Sequence, residues 1–221
     1  MKLKLASLAL LSMAACHADS IITLDVTGLP STYQDGTYNG FATATINGIP
    51  NQLIVCDDAS HVTYVPTGNM VYDFSTVGGS TPLESVRFTG GNETQNYDEA
   101  AVLVWELYEY VTGSGSQASA NTITDYQYAI WNIFDSGIST TTNQAALQAA
   151  ALNLVKTDGA MLVTSVYPFV DVYTPTSAYS SNQEFMQFAT PEPGTLLLLA
   201  GGLLVAMAVR MRRGLRKQPA A

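Results

Sequence analysis

The chain has 221 residues, of which 18 are acidic and nine are basic, for a formal net charge of −9. The charges are segregated along the chain. Residues 19–190 contain 17 acids but only two cations, Arg87 and Lys156, and therefore carry a net charge of −15. Because such a surface repels phosphate backbones, the composition excludes binding of DNA or RNA.

The N-terminal segment predicts export. A basic start is followed by an apolar run that is too short to span a bilayer, which is typical of a signal peptide over residues 1–18. Two processing routes stay open: cleavage after Ala18, which we favour, and lipidation of Cys16, which follows a lipobox-like Met-Ala-Ala segment. If Cys16 leaves with the signal, Cys56 is the only cysteine of the exported chain, and no intramolecular disulfide can form.

The C-terminal segment predicts a membrane anchor. Residues 195–209 are apolar and uncharged, and as a helix they would rise about 22 Å, slightly less than the hydrocarbon thickness. Snorkelling arginines at the inner end can make up the difference. By the positive-inside rule, Arg210, Arg212 and Arg213 hold the C-terminus in the cytoplasm and leave the acidic domain outside.

Three features of the tail occur in a defined order. Pro191, Glu192 and Pro193 precede the apolar segment, and an arginine-rich end follows it. Residues 191–217 therefore resemble the PEP-CTERM sorting signal. The resemblance implies recognition by an exosortase, a membrane transpeptidase, with cleavage near the Pro-Glu-Pro motif and association with exopolysaccharide or biofilm matrix. The alternative is an ordinary membrane anchor that follows a Pro-rich linker.

The first part of the exported domain is predicted to be strand-rich. Alternating or β-branched runs indicate strands over residues 21–26, 40–46, 52–56, 61–65 and 85–88. The pair Asn47-Gly48 predicts a tight hairpin turn between the second and third of them. Cys56 would then lie near the end of the second strand of that hairpin.

The middle of the domain is predicted to be helical. We expect one helix over residues 97–110, a second around 125–134 capped by Thr122 or Thr124, and a third over 143–156 that ends at Asp158-Gly159. Strand character returns at 161–167 and 169–173. Residues 175–190 are predicted to form a linker, with a last strand at Phe185 and Phe188 as the alternative.

Strands, then helices, then strands predict an α+β domain over residues 19–174. We expect an antiparallel β-sandwich or barrel with a helical insertion of about three helices. A single C-terminal transmembrane helix would complete the chain.

Two separated motifs suggest a chemistry for this domain. Cys56-Asp57-Asp58 follows a hydrophobic strand, and the segment from Gln127 to Trp131, Gln-Tyr-Ala-Ile-Trp, lies on a predicted helix. Together they resemble the signature of bacterial thioester domains, which are surface adhesin modules, although Val55 stands where the family commonly has an aromatic residue. The resemblance implies an internal thioester between the Cys56 sulfur and the Gln127 carbonyl, open to attack by a partner amine such as a lysine.

Such a bond places demands on the fold. A primary amide is a poor electrophile, so the protein must press the thiol against it and supply a donor to the amide oxygen. Candidate donors or acids are Tyr126, Tyr128, His61 and a protonated Asp57, among which the sequence does not choose. Trp131 would keep water off the bond. The competing interpretation is that Cys56 is a small buried hydrophobe, Gln127 a surface amide and Trp131 a core residue.

Other chemistries find little support in the sequence. A Cys56–His61 protease is disfavoured, because no Asn or Asp orienting residue is identifiable. No phosphate-binding loop, metal-type cluster or cofactor motif occurs, so we expect no cofactor, no metal and no enzymatic activity. The sequence thus predicts an envelope-anchored adhesin or matrix linker that exopolysaccharide or an amine-bearing partner would engage, with release to the matrix after tail processing. The alternative is a non-covalent structural or binding module of the extracellular matrix.

Overall fold

The computed structural model describes residues 21–30, 32–34, 37–78, 83, 85–114 and 118–189. Strands come first in the chain: β1 (Ile22–Gly28), β2 (Thr32–Gln34), β3 (Thr37–Asn39), β4 (Ala42–Ile46), β5 (Ile49–Cys56) and β6 (Met70–Thr76). Three helices follow, namely α1 (Glu93–Ser114), α2 (Ala120–Phe134) and α3 (Thr142–Ser165). Strands β7 (Val170–Pro175) and β8 (Phe185–Phe188) complete the domain.

The predicted signal peptide and the predicted transmembrane helix at 195–209 lie outside the described residues, as do the Pro-Glu-Pro motif and its flanking arginines. Within the ranges given above, no helix combines the length and the apolar composition needed to cross a bilayer.

Six of the strands close into a barrel. Their order is β1-β4-β5-β8-β7-β6, and every neighbouring pair is antiparallel. Strands β2 and β3 form a separate hairpin. The three helices are inserted between β6 and β7, so the predicted α+β architecture with a three-helix insertion is confirmed, and the sheet is a barrel rather than a sandwich.

The hairpin of β4 and β5 brings Cys56 to its position. Its turn is formed by Asn47 and Gly48, whose φ angles of 48° and 81° are both positive, as the tight turn predicted for this pair requires. Strand β5 runs from this turn to Cys56 at its end. The placement of Cys56 at the end of the second hairpin strand is confirmed.

Two hydrophobic clusters lie on opposite sides of the barrel wall. One fills the barrel and includes Ile54, with Cys56 packed against it. The other lies between the barrel and the helices and includes Val55. Successive side chains of a strand point to opposite faces of the sheet. The side chain of Cys56 therefore lies on the barrel side, and those of Val55 and Asp57 lie on the helix side.

Helix α3 is longer than predicted. It continues beyond Asp158-Gly159 to Ser165, and only a local kink remains at Asp158 (φ −121°, ψ 20°). Residues 161–165 are therefore helical, and the strand predicted there is wrong. Leu162 is fully buried in the cluster between helices and barrel, so its packing outweighs the local strand propensity of the segment.

Other predicted elements also differ. Helix α2 begins at Ala120 after the N-cap residue Ser119, so neither Thr122 nor Thr124 caps it, and Thr124 is buried within the helix. Residues 61–65 and 85–88 are loops rather than strands, and the prediction missed strand β6. Within the predicted linker 175–190, β8 pairs with both β5 and β7, so the alternative of a last strand there is the one that the structure has.

Candidate functional site

Cys56 and Gln127 line the same cavity. Cys56 ends strand β5, Gln127 projects from helix α2, and the cavity between them and the neighbouring loops has a volume of ≈260 Å³. Most of its walls are apolar, and they include Val26, Leu29, Ala42, Val65, Trp131 and Phe185. The fold thus brings together two residues that lie 71 positions apart in the sequence.

Two hydrogen bonds fix the side-chain amide of Gln127. Its Oε1 accepts from the backbone N–H of Gly40 at 3.2 Å, and its Nε2 donates to the backbone carbonyl of Cys56 at 2.6 Å. An N–H can only donate and a carbonyl can only accept, so the two partners determine which end of the amide is oxygen. Gln127 is only 1 % exposed and is not the surface amide of the competing interpretation.

The donor to the amide oxygen depends on an unusual backbone position. Gly40 has a φ of +91°, and a Cβ built there would lie 2.5 Å from Cγ2 of Ile123 in helix α2. A residue with a side chain therefore fits neither the dihedral nor the space. The glycine lets the backbone of the β3–β4 connection approach α2 closely enough for its N–H to reach Gln127.

The thiol of Cys56 is held next to Asp58. Its Sγ donates to the backbone carbonyl of Asp58 at 3.1 Å and accepts from the Asp58 N–H at 3.3 Å. Burial raises the pKa of the Cys56 thiol well above its usual value, and the neighbouring Asp57 raises it further. The Trp131 indole N–H makes no hydrogen bond of standard geometry, but it lies close enough to the sulfur to lower this pKa in part.

The four candidate donors do not bond to Gln127 in the structure. The hydroxyl of Tyr126 faces α1, where it donates to Glu106 at 3.4 Å, and burial raises its pKa to about 12. The hydroxyl of Tyr128 lies 3.5 Å from Oγ1 of Thr37, and its ring packs edge-on against Trp131. The donor to the amide oxygen is thus the backbone N–H of Gly40, whereas the sequence predicted only side chains for this role. Because every residue other than proline has a backbone N–H, the sequence carries no signal for this donor beyond the glycine itself.

Asp57 lies on the other side of the barrel wall from the cavity. It is fully buried, and burial together with the adjacent Glu184 raises its pKa well above the usual value. Glu184 accepts from the backbone N–H of Arg87 at 2.8 Å, from the hydroxyl of Tyr97 at 2.5 Å and from the hydroxyl of Thr174. Repulsion between neighbouring buried carboxylates favours the protonated form of Asp57, although neither of its oxygens makes a hydrogen bond of standard geometry among the described residues. It does not line the cavity of Cys56.

The pairing of His61 with Asp58 at the cavity was missed by the sequence reasoning, which named His61 only as a candidate donor. His61 lines the cavity, and its Nδ1 lies 3.0 Å from Oδ1 and 2.9 Å from Oδ2 of Asp58. Asp58 also pairs with the Arg87 guanidinium and accepts from Ser60. Burial alone would raise the pKa of Asp58, but the hydrogen bonds from Ser60 and His61 and the Arg87 charge outweigh it and hold the pKa below the usual value. Asp58 is therefore the orienting residue for His61 that the sequence did not reveal.

No hydrogen bond joins His61 to the Cys56 sulfur among the residues described. A thiol protease would need that contact, because its base must take the proton from the sulfur. Nor does the described part of the chain contain three or more His, Cys, Asp or Glu side chains grouped so that they could hold a metal ion.

The tail of the chain is similar to a known protein-sorting motif. Residues 189–213 match the PEP-CTERM protein-sorting motif. This motif implies an exported, membrane-anchored protein that an exosortase processes and that is sorted to the cell surface. No curated protein matches the chain.

Among solved structures, the N-terminal thioester domain of a surface protein from Clostridium perfringens has a TM-score of 0.42 at 16% identity, covering 76% of this chain and 98% of that one. The N-terminal thioester domain of fibronectin-binding protein SfbI from Streptococcus pyogenes has a TM-score of 0.41 at 13% identity, covering 78% and 95%. The N-terminal domain of the Streptococcus pyogenes pilus tip adhesin Cpa has a TM-score of 0.41 at 12% identity, covering 76% and 93%. What the site of this chain can do follows from its own residues and distances.

Proposed function

We propose that this PEP-CTERM-sorted protein is a covalent adhesin or matrix linker whose reactive group is an internal thioester between Cys56 and Gln127. The observation that carries the proposal is the anchoring of the Gln127 amide between the Gly40 N–H and the Cys56 carbonyl, at the cavity that the Cys56 thiol also lines. The protein acts by becoming attached to a partner once, not by turnover, and is therefore not an enzyme.

The hydrogen bonds of the amide support the chemistry at both of its ends. Attack of the Cys56 sulfur on the Gln127 carbonyl carbon moves negative charge onto Oε1, where the Gly40 N–H stabilises it as an oxyanion-hole donor would. The S–C bond forms, the C–N bond to Nε2 breaks, and the thiol proton leaves with the nitrogen as ammonia. Because the fold already orients the two groups, the reaction does not lose this orientational entropy in its transition state.

The state of the thiol also favours a bonded sulfur. With its pKa raised by burial, Cys56 is a protonated thiol at neutral pH and a poor nucleophile toward molecules from solution. A half-buried thiol with a raised pKa is suited to an intramolecular partner that the fold holds near it. The Trp131 N–H near the sulfur would support the negative charge when a partner amine later displaces it.

The acidic surface supports a cationic partner. Residues 19–190 carry a net charge of −15, which attracts lysine-rich surfaces and accelerates encounter with them. A lysine amine would attack the thioester and leave an amide bond, with Cys56 released as a thiol. Exopolysaccharide that bears amino groups would be captured in the same way, at the cell surface or, after tail processing, in the matrix.

The mass of the protein tests the proposal directly. The full-length chain, purified from the envelope in detergent, should weigh about 17 Da less than its processed sequence, the loss of one ammonia on acyl transfer to sulfur. It should show no titratable thiol at Cys56 until an amine opens the bond. The variants Cys56→Ala and Gln127→Ala should show no deficit. A wild-type chain of full mass with a free thiol would contradict the proposal and favour a non-covalent matrix module instead.

A further inference from the structure

The Asp58–His61 pair has no role in forming the thioester as described above. His61 lines the same cavity as Cys56 and Gln127, and its ring makes no hydrogen bond to either of them among the contacts of the described residues. The two hydrogen bonds between Cys56 and Asp58 involve only the backbone of Asp58. We propose that His61, oriented by Asp58, is the general base that removes a proton from the partner's ammonium group as it enters the cavity to attack the thioester. This inference rests on the proposed function and concerns its second step.

The geometry of the pair defines which nitrogen can act. A carboxylate only accepts hydrogen bonds, so the contact with Asp58 places the proton of the neutral ring on Nδ1. The lone pair is then on Nε2, the atom that can take up a proton. Asp58 is held in turn by Arg87 and Ser60, so the ring orientation is supported by a buried carboxylate with three partners.

The rest of the cavity explains why a base is needed. An alkylamine is protonated in neutral solution and has no lone pair with which to attack a carbonyl. Among the described residues that line the cavity, none is a carboxylate, and the ionisable side chains are those of Tyr38, Cys56 and His61. Cys56 is consumed in the thioester, and the phenol of Tyr38 has no basic nitrogen. The imidazole, whose Nε2 carries a free lone pair in the neutral ring, is the side chain that remains.

The path of the amine also follows from the structure. Amine attack is the chemical reverse of ammonia departure, so the incoming nitrogen enters where Nε2 of Gln127 lies, within hydrogen-bond reach of the Cys56 carbonyl. The N–C bond forms and the S–C bond breaks. Of the two protons that the ammonium group loses, one ends on the Cys56 sulfur and the other passes through His61 to solvent. The apolar walls favour an amine at the end of an alkyl chain, such as a lysine side chain.

The test compares two amines on one variant. His61→Asn places an amide nitrogen near the position of Nδ1, which keeps a donor for Asp58 and removes the basic nitrogen. With the full-length protein, the mass gain over time is followed for n-butylamine, which is protonated at neutral pH, and for methoxyamine, which is neutral there. Tyr64→Phe, on an 81% exposed side chain of the same loop, is the matched control.

We expect His61→Asn to keep the deficit of about 17 Da and to react with n-butylamine about 100-fold more slowly than the wild type, the lower range of general-base effects. Its reaction with methoxyamine should change less than about threefold, because that amine needs no deprotonation before attack. Tyr64→Phe should match the wild type with both.

Equal slowing of His61→Asn with both amines would overturn the proposal, since it would show a structural role for His61. Unchanged rates with both amines would also overturn it. Loss of the mass deficit in both His61→Asn and His61→Gln would also overturn it, because His61 would then act in folding or bond formation. If the wild-type protein shows no mass deficit before any amine is added, the proposed thioester itself is wrong.

Discussion

The side-chain oxygen of Gln127 accepts a hydrogen bond from the backbone N–H of Gly40, 87 positions earlier in the chain. This contact joins helix α2 to the connection between β3 and β4 and orients the amide whose nitrogen reaches the Cys56 carbonyl. Within the part of the chain that the structure describes, this hydrogen bond supplies the fixed donor to the atom on which negative charge would develop.

Replacing Gly40 should therefore slow the formation of the thioester without unfolding the protein. In Gly40→Ala, the added methyl would meet Ile123, and the strained φ would move the N–H away from Gln127. We expect the fraction carrying the mass deficit to accumulate about 100- to 1000-fold more slowly after synthesis, the usual effect of losing one oxyanion donor.

Gly48→Ala provides the matched control for this substitution. Gly48 also has a positive φ, +81°, but nothing lies within 4 Å of a Cβ added there. Gly48→Ala should lower the free energy of unfolding by about 1–2 kcal/mol, and Gly40→Ala by at least as much. Gly48→Ala should leave the mass deficit intact. A deficit that forms normally in Gly40→Ala would show that the N–H of Gly40 does not assist the reaction.

The two cations of residues 19–190 should differ sharply in their contribution to stability. Arg87 pairs with the buried carboxylate of Asp58 and donates to the carbonyl of Ser180 at 2.9 Å, whereas Lys156 is exposed. Arg87→Met removes the guanidinium from a buried carboxylate whose remaining partners are Ser60 and His61, and it should lower the free energy of unfolding by about 3–5 kcal/mol. Lys156→Met should change it by less than about 0.5 kcal/mol. Urea unfolding of both variants checks this, and similar values for the two would argue against a buried ion pair at Asp58.

The carboxyl pair of Asp57 and Glu184 should make the protein more stable in mild acid than at neutral pH. The folded-state pKa of Asp57 is raised above its unfolded value, so its contribution is complete below about pH 4 and is lost as the pH rises through the folded pKa. A single group of this kind lowers the free energy of unfolding by up to about 1.4 kcal/mol per pH unit. Asp57→Asn, which replaces the carboxyl group by an amide that does not titrate, should flatten this decline.

Asp98 serves as the comparison for this pH dependence. Burial and the neighbouring Glu99 raise its pKa to about 6, so its contribution is lost mainly between about pH 4 and 6. Asp98→Asn should leave the decline above pH 6.5 unchanged. Denaturant unfolding at a series of pH values distinguishes the two variants. A decline that Asp57→Asn leaves unchanged would contradict a raised pKa at Asp57.

The sorting motif makes a prediction about processing. If an exosortase recognises the tail, replacing Pro191, Glu192 and Pro193 by alanine should leave the chain uncut and full-length in the membrane fraction, because the apolar segment and its arginine flank remain. Alanine in place of Pro175, outside the matched residues, should leave processing unchanged. Fractionation followed by mass measurement of the C-terminal peptide checks both. Identical C-termini in the motif variant and the wild type would remove the case for cleavage near this motif.

Much of the architecture could be predicted because it depends on local patterns. The Asn47-Gly48 turn, the end of a strand at Cys56 and the three-helix insertion all follow from turn chemistry and periodicity over a few residues. The strand predicted at 161–167 failed because Leu162 packs into the core of the helical layer, and that contact depends on residues far away in sequence.

The sequence by itself predicted the signal peptide and determined the sorting motif and the acidic character of the body, since charge, hydropathy and motif order are properties of residue order. It also singled out Cys56 and Gln127 as candidate partners. Only the tertiary structure decided that Gly40 and not a tyrosine bonds to the amide, that Asp58 orients His61, and that Asp57 faces Glu184 away from the cavity. Hydrogen bonds act over about 3 Å. Which groups come that close depends on how barrel and helices pack, and no window of sequence contains that information.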